Sequence, residues 1–336
     1  MGISVIFGGQ WGSEGKGKTT LFFAKKLNAS VVVRVGGINS GHTIVTEDGQ
    51  RLAFRILPVA SILEGVTCVL PAGSYIDVNV LEKEIQLSKI RKELLKIHPN
   101  AVIIKKSDGL HEVSAGLNDK IGSTESGTGS AVISRIKRSS EVLLAKDCKE
   151  LQPYLCDTID YLRDILNRSQ EVIIEGTQGF GLSLLHAKEY PFTTSRDTSA
   201  AAFVSEAGLS PFDVKNIIMA LRTFPIRVAG NSGPLPKETT WTYVSEVCQS
   251  QLPLSEYTTV TKRIRRVAKF DADVVRRSIN TNRPNIIVLN HCDYFDYSIN
   301  NQEVLSELAE NHVRRIEEQI GKIHYVGTGD KTIFTR

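Results

Sequence analysis

What this sequence lacks narrows it first. No apolar run approaches the ~18 residues that suggest a membrane-spanning helix, and the N-terminus reads straight into a strand with no signal-peptide apolar region ahead of it. Both absences predict a soluble, unexported protein with no membrane partner. Cysteines come neither in pairs nor in close spacing: the five, Cys68, Cys148, Cys156, Cys248 and Cys292, are odd in number and form no C-x-x-C. That speaks against a disulfide framework and against a zinc site, and a reducing, cytoplasmic compartment fits best. A strong charge excess is missing too. A net charge of +4 over 336 residues gives no compositional argument for a nucleic-acid partner, so basic residues must be judged locally. No internal repeat or low-complexity tract is visible. The length admits one large α/β domain or two, and a single domain over 1–336 is the expectation.

What is present is organised around residues 8–19, Gly-Gly-Gln-Trp-Gly-Ser-Glu-Gly-Lys-Gly-Lys-Thr. This turn follows an apolar run over 3–7 and opens a helical segment over 20–27. Glycines let backbone amides approach an anion, a helix N-terminus adds partial positive charge, and Lys16 and Lys18 add full ones. From Gly12 the string also satisfies G-x-x-x-x-G-K-[ST], with Thr19 in the hydroxyl position. A tight turn carrying two solvated lysines is the plain alternative, but the strand-loop-helix context favours a P-loop-like phosphate site.

The β-branched run 31–35 reads as a buried strand and leads into a second glycine loop, 36–43, where His42 sits among small residues and is poorly placed for core packing. Segments 43–46 and 51–57 flank Asp48-Gly49 as a hairpin. A strand is expected at 69–72. Asp77 or Asn79 can cap an amphipathic helix over 80–97, where Leu81, Ile85, Ile90, Leu94 and Ile97 recur at helical spacing. After a strand at 101–105, a loop runs to a third glycine and hydroxyl cluster, 121–130, which reads as a flexible linker or a second anion site. A basic helix-like stretch follows over 131–139. Further along come a helix over 151–167, strands at 171–175, 216–221, 285–289 and 324–326, and helices over 197–207 and 302–320. This alternation, with glycine loops at strand ends, predicts a doubly wound α/β fold around a mostly parallel sheet. The most basic run, 261–266, lacks interleaved aromatics, a weak nucleic-acid signal that suits a polyanionic small ligand equally well.

Five segments together resemble the adenylosuccinate synthetase family: residues 8–18, Gly-Gly-Ile-Asn-Ser-Gly-His-Thr over 36–43, Glu-Gly-Thr-Gln-Gly-Phe-Gly over 175–181, Tyr-Pro-Phe-Thr-Thr-Ser over 190–195 and Val-Gly-Thr-Gly over 326–329. They run from the first strand to the last loop in the family's order, in what resembles a short form of it. The resemblance implies a two-step ligase: a nucleoside triphosphate phosphorylates O6 of a 6-oxopurine nucleotide, and the amine of L-aspartate displaces that phosphate. It also implies roles. Gly12, Ser13, Glu14, Gly15, Lys16, Gly17 and Lys18 would hold the triphosphate with Gly41, His42 and Thr43 beside them, and Arg265, Asp293, Gly327, Thr328 and Gly329 would complete that site. His42 would be the acid supporting charge on O6, worth about 10²- to 10⁴-fold in rate. Asn39, Ser123, Thr124, Gln178, Thr194 and Arg263, with Ser13, would bind the purine nucleotide. Arg138 would be donated across a homodimer interface. Thr259, Val260, Thr261, Arg263 and Arg265 would close on aspartate, and Ser13 and Gly41 would face Mg²⁺.

One position departs from the pattern in a way that matters. Where the family carries an aspartate that accepts the purine N1 proton and helps ligate Mg²⁺, this chain has Ser13, which is neither a carboxylate base at pH 7 nor a charge for a metal. A degraded enzyme is one reading. The other is a changed substrate, because a hydroxyl frees space and can hydrogen-bond the 2-amino group of guanine. That change resembles the family's viral branch, which acts on dGMP in a route to 2-aminoadenine DNA, so dGMP is the expected acceptor and a host cytoplasm the expected compartment. The N1 proton acceptor is then left to Ser13 as a relay or to a water. Second, His291 stands in Asn290-His291-Cys292-Asp293 where guanine-reading members have lysine, which points to ATP or dATP as donor, with GTP as the alternative. Ile264 and Ala268-Lys269 also depart, and nothing in the sequence explains them. The competing classes are an ordinary IMP- and GTP-using synthetase, a P-loop GTPase, and an inactive nucleotide-binding module.

Overall fold

The computed structural model describes residues 2–258 and 263–336. Thr259, Val260 and Thr261, expected at the aspartate site, lie outside the described residues.

Nine strands form the central sheet, in the order Thr332–Thr335, Tyr325–Thr328, Ile286–Asn290, Val214–Arg222, Ile3–Gly8, Val172–Glu175, Val31–Arg34, Thr67–Leu70 and Leu95–Ile97. Every neighbouring pair is parallel except the closing hairpin of 325–328 with 332–335. The sequence dictates this. Runs such as Val31-Val32-Val33 and Val172-Ile173-Ile174 do not alternate with polar residues, so they need apolar cover on both faces, which parallel sheets provide. Val5, Phe7, Val33 and Ile174 pack on one face against helices Thr158–Asn167, Ala200–Glu206, Ala272–Asn282 and Glu307–Ile320. Ile6, Val32, Ile173, Ile218 and Val288 pack on the other with Phe23 and Ala24 of helix Lys16–Lys26. Each fully buried aliphatic side chain contributes roughly 1.5–3 kcal/mol, so the sheet is a rigid platform for whatever sits at its rim.

That rim is polar by register. Arg34 lies opposite Glu175, and Arg222 opposite Asn290. These residues end otherwise apolar strands at their carboxyl ends, where ligands bind in open α/β sheets. Ile3–Gly8 is central, between Val214–Arg222 and Val172–Glu175, so the glycine loop that follows it emerges at the middle of that rim.

Several elements differ from expectation. The first helix starts at Lys16, capped by Gly15 in the left-handed region, rather than at residue 20. The helix expected over 80–97 runs only Val78–Ser88: Asp77 caps it through Val80 N–H, and Lys89 ends it at φ 55°. Leu95 and Ile97 are buried alternately as an edge strand. Residues expected as loop before 121 form helices Lys106–Ser114 and Leu117–Ile121. The 151–167 helix begins at Thr158, because Pro153 belongs to a preceding 3₁₀ turn. Ser199 and Ser306 cap the helices expected from 197 and 302, moving their starts to Ala200 and Glu307. Among the described residues, no helix is long and apolar enough to cross a membrane.

Candidate active site

A cleft of about 1030 Å³ opens at the carboxyl ends of the strands, large enough for more than one small ligand. It gathers most of the expected residues. Gly12, Ser13, Gly15, Lys16, Gly17 and Lys18 form one wall, and Asn39, Gly41, His42 and Thr43 meet them. Ser123, Thr124, Gln178 and Thr194 lie opposite, with Arg263, Arg265 and Gly329 at the ends.

The glycine loop takes its shape from backbone that L-residues avoid. Gly12, Ser13 and Gly15 have φ of 100°, 58° and 79°, so only position 13 carries a side chain in this left-handed stretch. Glu14, expected against the triphosphate, turns back instead. It is fully buried, its Oε1 accepts from the N–H groups of Gly12 at 2.7 Å and Gln10 at 3.2 Å, and its Oε2 accepts from Lys16 Nζ at 2.6 Å. Lys18 Nζ donates to the carbonyls of Gly329 at 2.8 Å and Thr332 at 3.2 Å. Burial lowers the Lys18 pKa to about 8, with Asp293 partly offsetting it. Asn290 ties the loop to the next strand but one, donating to Glu14 O at 2.8 Å and Thr19 Oγ1 at 3.2 Å.

His42 begins strand His42–Val45, which pairs with Arg51–Phe54 as the expected hairpin. Its Nδ1 donates to Glu175 Oε1 at 2.5 Å, and Arg34 Nη1 donates to the same oxygen at 2.6 Å while also touching the ring. Glu175 Oε2 accepts from Val59 N–H at 3.0 Å. Burial first, then the cations Arg34 and Lys16, press the His42 pKa well below its ordinary range. Burial pushes the Glu175 carboxyl up, against the pull of Arg34. The imidazole is therefore neutral and oriented.

Apart from Glu112, the opposite wall is neutral. Gln178, at φ 55°, donates through Nε2 to Thr194 Oγ1 at 2.8 Å, and Asn39 Nδ2 reaches the same hydroxyl at 3.4 Å. Gln178 Oε1 is buried with no partner, an acceptor left for a ligand donor. The 121–130 cluster is neither linker nor open anion site: Glu112 holds the N–H groups of Gly127, Gly129 and Ser130 at 2.9, 2.7 and 3.2 Å, capping helix Thr128–Ile136. Arg138 follows that helix, exposed at φ 54° and outside the cleft wall.

The third region holds the arginines. Arg265 Nη1 donates to Glu256 Oε2 at 2.9 Å, and Arg222, 0% exposed, makes a two-point pair with Glu256. Tyr294 OH donates to Glu256 Oε1 at 2.9 Å. Burial alone would raise the Glu256 carboxyl, but Arg222, with His291 and Arg265 behind it, holds it well below the carboxylate range. His291 lines the cleft beside Tyr294, and burial, then Arg222, lowers its pKa well below 6.5. Asp293, Gly327 and Thr328 stand behind the wall rather than in it. Asp293 is 1% exposed; its Oδ1 accepts from Gly329 N–H at 2.7 Å and its Oδ2 from Asn300 Nδ2 at 2.8 Å. Thr328 is fully buried and donates to Gln302 O at 2.6 Å. Arg34, Arg222 and Glu256 were not singled out by the sequence, and Glu175 entered only as the first residue of the 175–181 segment, without a role. Arg34, Glu175 and Arg222 had a signal, a lone charge closing an apolar strand.

Ser13 and Gly41 offer a metal only neutral oxygens, and among the described residues no group of three His, Cys, Asp or Glu side chains could cage one. That donor chemistry fits Mg²⁺ carried chiefly by phosphate oxygens and water.

Such a cleft, with an anion-shaped glycine loop facing a neutral pocket of nucleotide size, defines an enzyme that works on nucleotides. Comparison with known proteins narrows the class. The family model for adenylosuccinate synthetase matches residues 5–146 and 142–300. The adenylosuccinate synthetase of Methanococcus aeolicus is 35% identical, over 98% of this chain and 97% of its own, and that of Thermococcus onnurineus is 35% identical over 94% and 92%. Among solved structures, the cyanophage S-2L succinoaminodeoxyadenylate synthetase, bound to dGMP and to dATP as an energy donor, superposes with TM-score 0.83 and 29% identity over 99% of this chain and 95% of its own. Plasmodium falciparum adenylosuccinate synthetase shares the fold, with TM-score 0.86 and 20% identity over 100% and 99%. The chain belongs to the adenylosuccinate synthetase family, carbon–nitrogen ligases that use a nucleotide and aspartate.

Proposed function

We propose that this ligase joins L-aspartate to C6 of dGMP, driven by ATP or dATP, and so makes N6-succino-2-amino-2′-deoxyadenylate for 2-aminoadenine nucleotides. The observation that carries the reading is Ser13. It lines the cleft on the phosphate loop, and its small hydroxyl leaves more space for a 2-amino group than a carboxylate would while still able to hydrogen-bond it. The similar cyanophage protein, with its bound dGMP and dATP, supports the same pair. The donor assignment gains further support from Asp293. A guanine needs that carboxylate for its N1–H and N2–H, yet Asp293 is buried with both oxygens already accepting protein donors.

In the first half-reaction the γ-phosphoryl group moves to O6 as its bond to the β-phosphate breaks and the nucleoside diphosphate leaves, while the N1 proton passes to water, directly or through Ser13 as a relay. In the second, the aspartate nitrogen bonds to C6, phosphate departs with the former O6, and the amine loses a proton. The glycine loop orients the triphosphate, and Ser13 and Gly41 would help hold a Mg²⁺ ion that would supply charge neutralisation there. His42, held by Glu175 at Nδ1, takes a proton from water and donates it from Nε2 to the charge developing on O6. The neutral wall of Asn39, Thr124, Gln178 and Thr194 receives the acceptor nucleotide, and Arg263 and Arg265 receive aspartate. A homodimer in which Arg138 reaches the partner's nucleotide phosphate accounts for an exposed arginine beside Ile133 and Ile136, which are 54% and 72% exposed.

A second reading, IMP with GTP, draws on the 35%-identical relatives named adenylosuccinate synthetase. Aspartate-dependent phosphate release decides, assayed with dGMP, GMP, dIMP and IMP under Mg-ATP, Mg-dATP and Mg-GTP. Turnover of dGMP with ATP or dATP is expected. Strict dependence on IMP and GTP, release without aspartate, or no release at all would each overturn the proposal.

A further inference from the structure

We infer that Arg222 and Glu256 form a positioning pair that ties the phosphate loop to the arginine that binds aspartate. The inference rests on the reading of Arg265 as an aspartate ligand.

Arg222 is fixed to the phosphate loop twice. Its Nη1 donates to Ser13 O at 3.1 Å. Its backbone is bracketed by one side chain of the loop, since Gln10 Oε1 accepts from Arg222 N–H at 2.9 Å and Gln10 Nε2 donates to Arg222 O at 3.1 Å. The other edge of the same guanidinium pairs with both oxygens of Glu256. From there the connection continues to Arg265, whose Nη1 donates to Glu256 Oε2 at 2.9 Å and whose backbone N–H donates to Glu256 O at 2.8 Å. Arg265 Nε, buried, has no partner, so one arm of its guanidinium is anchored while a second donor stays free for a carboxylate.

Charge explains why an acid must stand between the arginines. Two guanidinium groups drawn to one site repel each other, and Arg222, at 0% exposure, cannot be screened by water. Glu256 offsets both and fixes Arg265 in one rotamer. Tyr294 fixes Glu256 in turn, donating to Oε1 at 2.9 Å with its ring 6.0 Å from the Arg222 guanidinium. Neither Arg222 nor Glu256 need touch substrate. They act through Arg265 and through the carbonyl of Ser13.

A purely structural ion pair would, on weakening, disturb all three substrates alike, whereas a positioning pair moves aspartate first. For Glu256→Gln the aspartate KM should rise about 30-fold or more, the scale of an unpaired buried charge, while the acceptor-nucleotide KM stays within about threefold. Tyr294→Phe removes a single hydrogen bond and should raise the aspartate KM about three- to tenfold with the melting temperature lowered by only a few degrees. It decides the matter should Glu256→Gln not fold. An unchanged aspartate KM in a folded variant, or KM values for all three substrates rising together, would overturn the inference. Arg265→Lys separates the two levels. If it leaves the aspartate KM unchanged, the reading of the arginine loop fails and the inference falls with it. If it raises that KM while Glu256→Gln and Tyr294→Phe do not, the positioning pair alone fails.

Discussion

The two walls of the cleft satisfy their polar groups in opposite ways. On the phosphate-loop side nearly every charge already has a protein partner: Lys16 with Glu14, Lys18 with two carbonyls, His42 and Arg34 with Glu175, Arg222 and Arg265 with Glu256. On the side of Asn39, Thr124, Gln178 and Thr194 the groups are neutral, and a buried acceptor such as Gln178 Oε1 waits unpaired. The difference teaches where chemistry and choice reside. Paired charges are costly to rearrange because unpairing one strands its partner in low dielectric, so the wall that handles phosphoryl transfer is preorganised. Neutral hydroxyls and amides can change partners at small cost, so the wall that reads the purine can be retuned. Ser13 lines the cleft from the phosphate loop, a neutral side chain in the charged wall.

The comparison can be broken first at His42. His42→Asn removes the proton donor from the charged wall while leaving the neutral wall intact, so kcat should fall about 10²- to 10⁴-fold with the acceptor KM little changed. Steady-state kinetics check this, and a loss confined to KM would place His42 in binding instead. A smaller effect is expected from pH at Lys18. Its folded pKa, lowered to about 8 from 10.5, means that the free enzyme loses this charge as pH rises through about 8. The value of kcat/KM for the donor should then fall, approaching tenfold per unit at the limit. Stability moves the other way: between about pH 8 and 10.5 the folded chain holds fewer protons on Lys18 than the unfolded chain, so the burden of burying it eases as pH rises. A flat donor profile to pH 9.5 would show that Lys18 does not serve the triphosphate. The smallest effect is expected at Asn300. Asn300→Ala frees Asp293 Oδ2, and GTP use relative to ATP should rise by about fivefold, near the worth of one hydrogen bond. An unchanged donor ratio would remove Asp293 from base reading.

Much of this was legible in the residues. The strand at 31–35, the hairpin around Asp48-Gly49 and the loops at strand ends are read from local patterns, because burial on both faces of a parallel sheet and left-handed turns leave direct marks on sequence. Helix Ala272–Asn282 was not seen, since Val274, Val275, Asn280, Thr281 and Asn282 have poor helical propensity and packing against the sheet overrides it. The 80–97 helix was overextended for the converse reason: Leu94 and Ile97 match a helical period by accident of a following edge strand. At the site, the glycine loops are contiguous and could be read directly. The pairs His42–Glu175 and Arg222–Glu256 join residues 133 and 34 positions apart, and no local pattern encodes which acid meets which base. Glu14 looked like a ligand because it sits inside the motif, yet its side chain holds the loop together.

The most direct test of the central claim puts dGMP and IMP in one reaction with L-aspartate and Mg-ATP and reads the ratio of their kcat/KM values for the wild-type enzyme and for Ser13→Asp. The account predicts a ratio favouring dGMP in the wild type and falling by about tenfold or more in the variant, the scale of one misplaced polar group. A wild-type ratio at or below one, or a ratio that Ser13→Asp leaves unmoved, would contradict it.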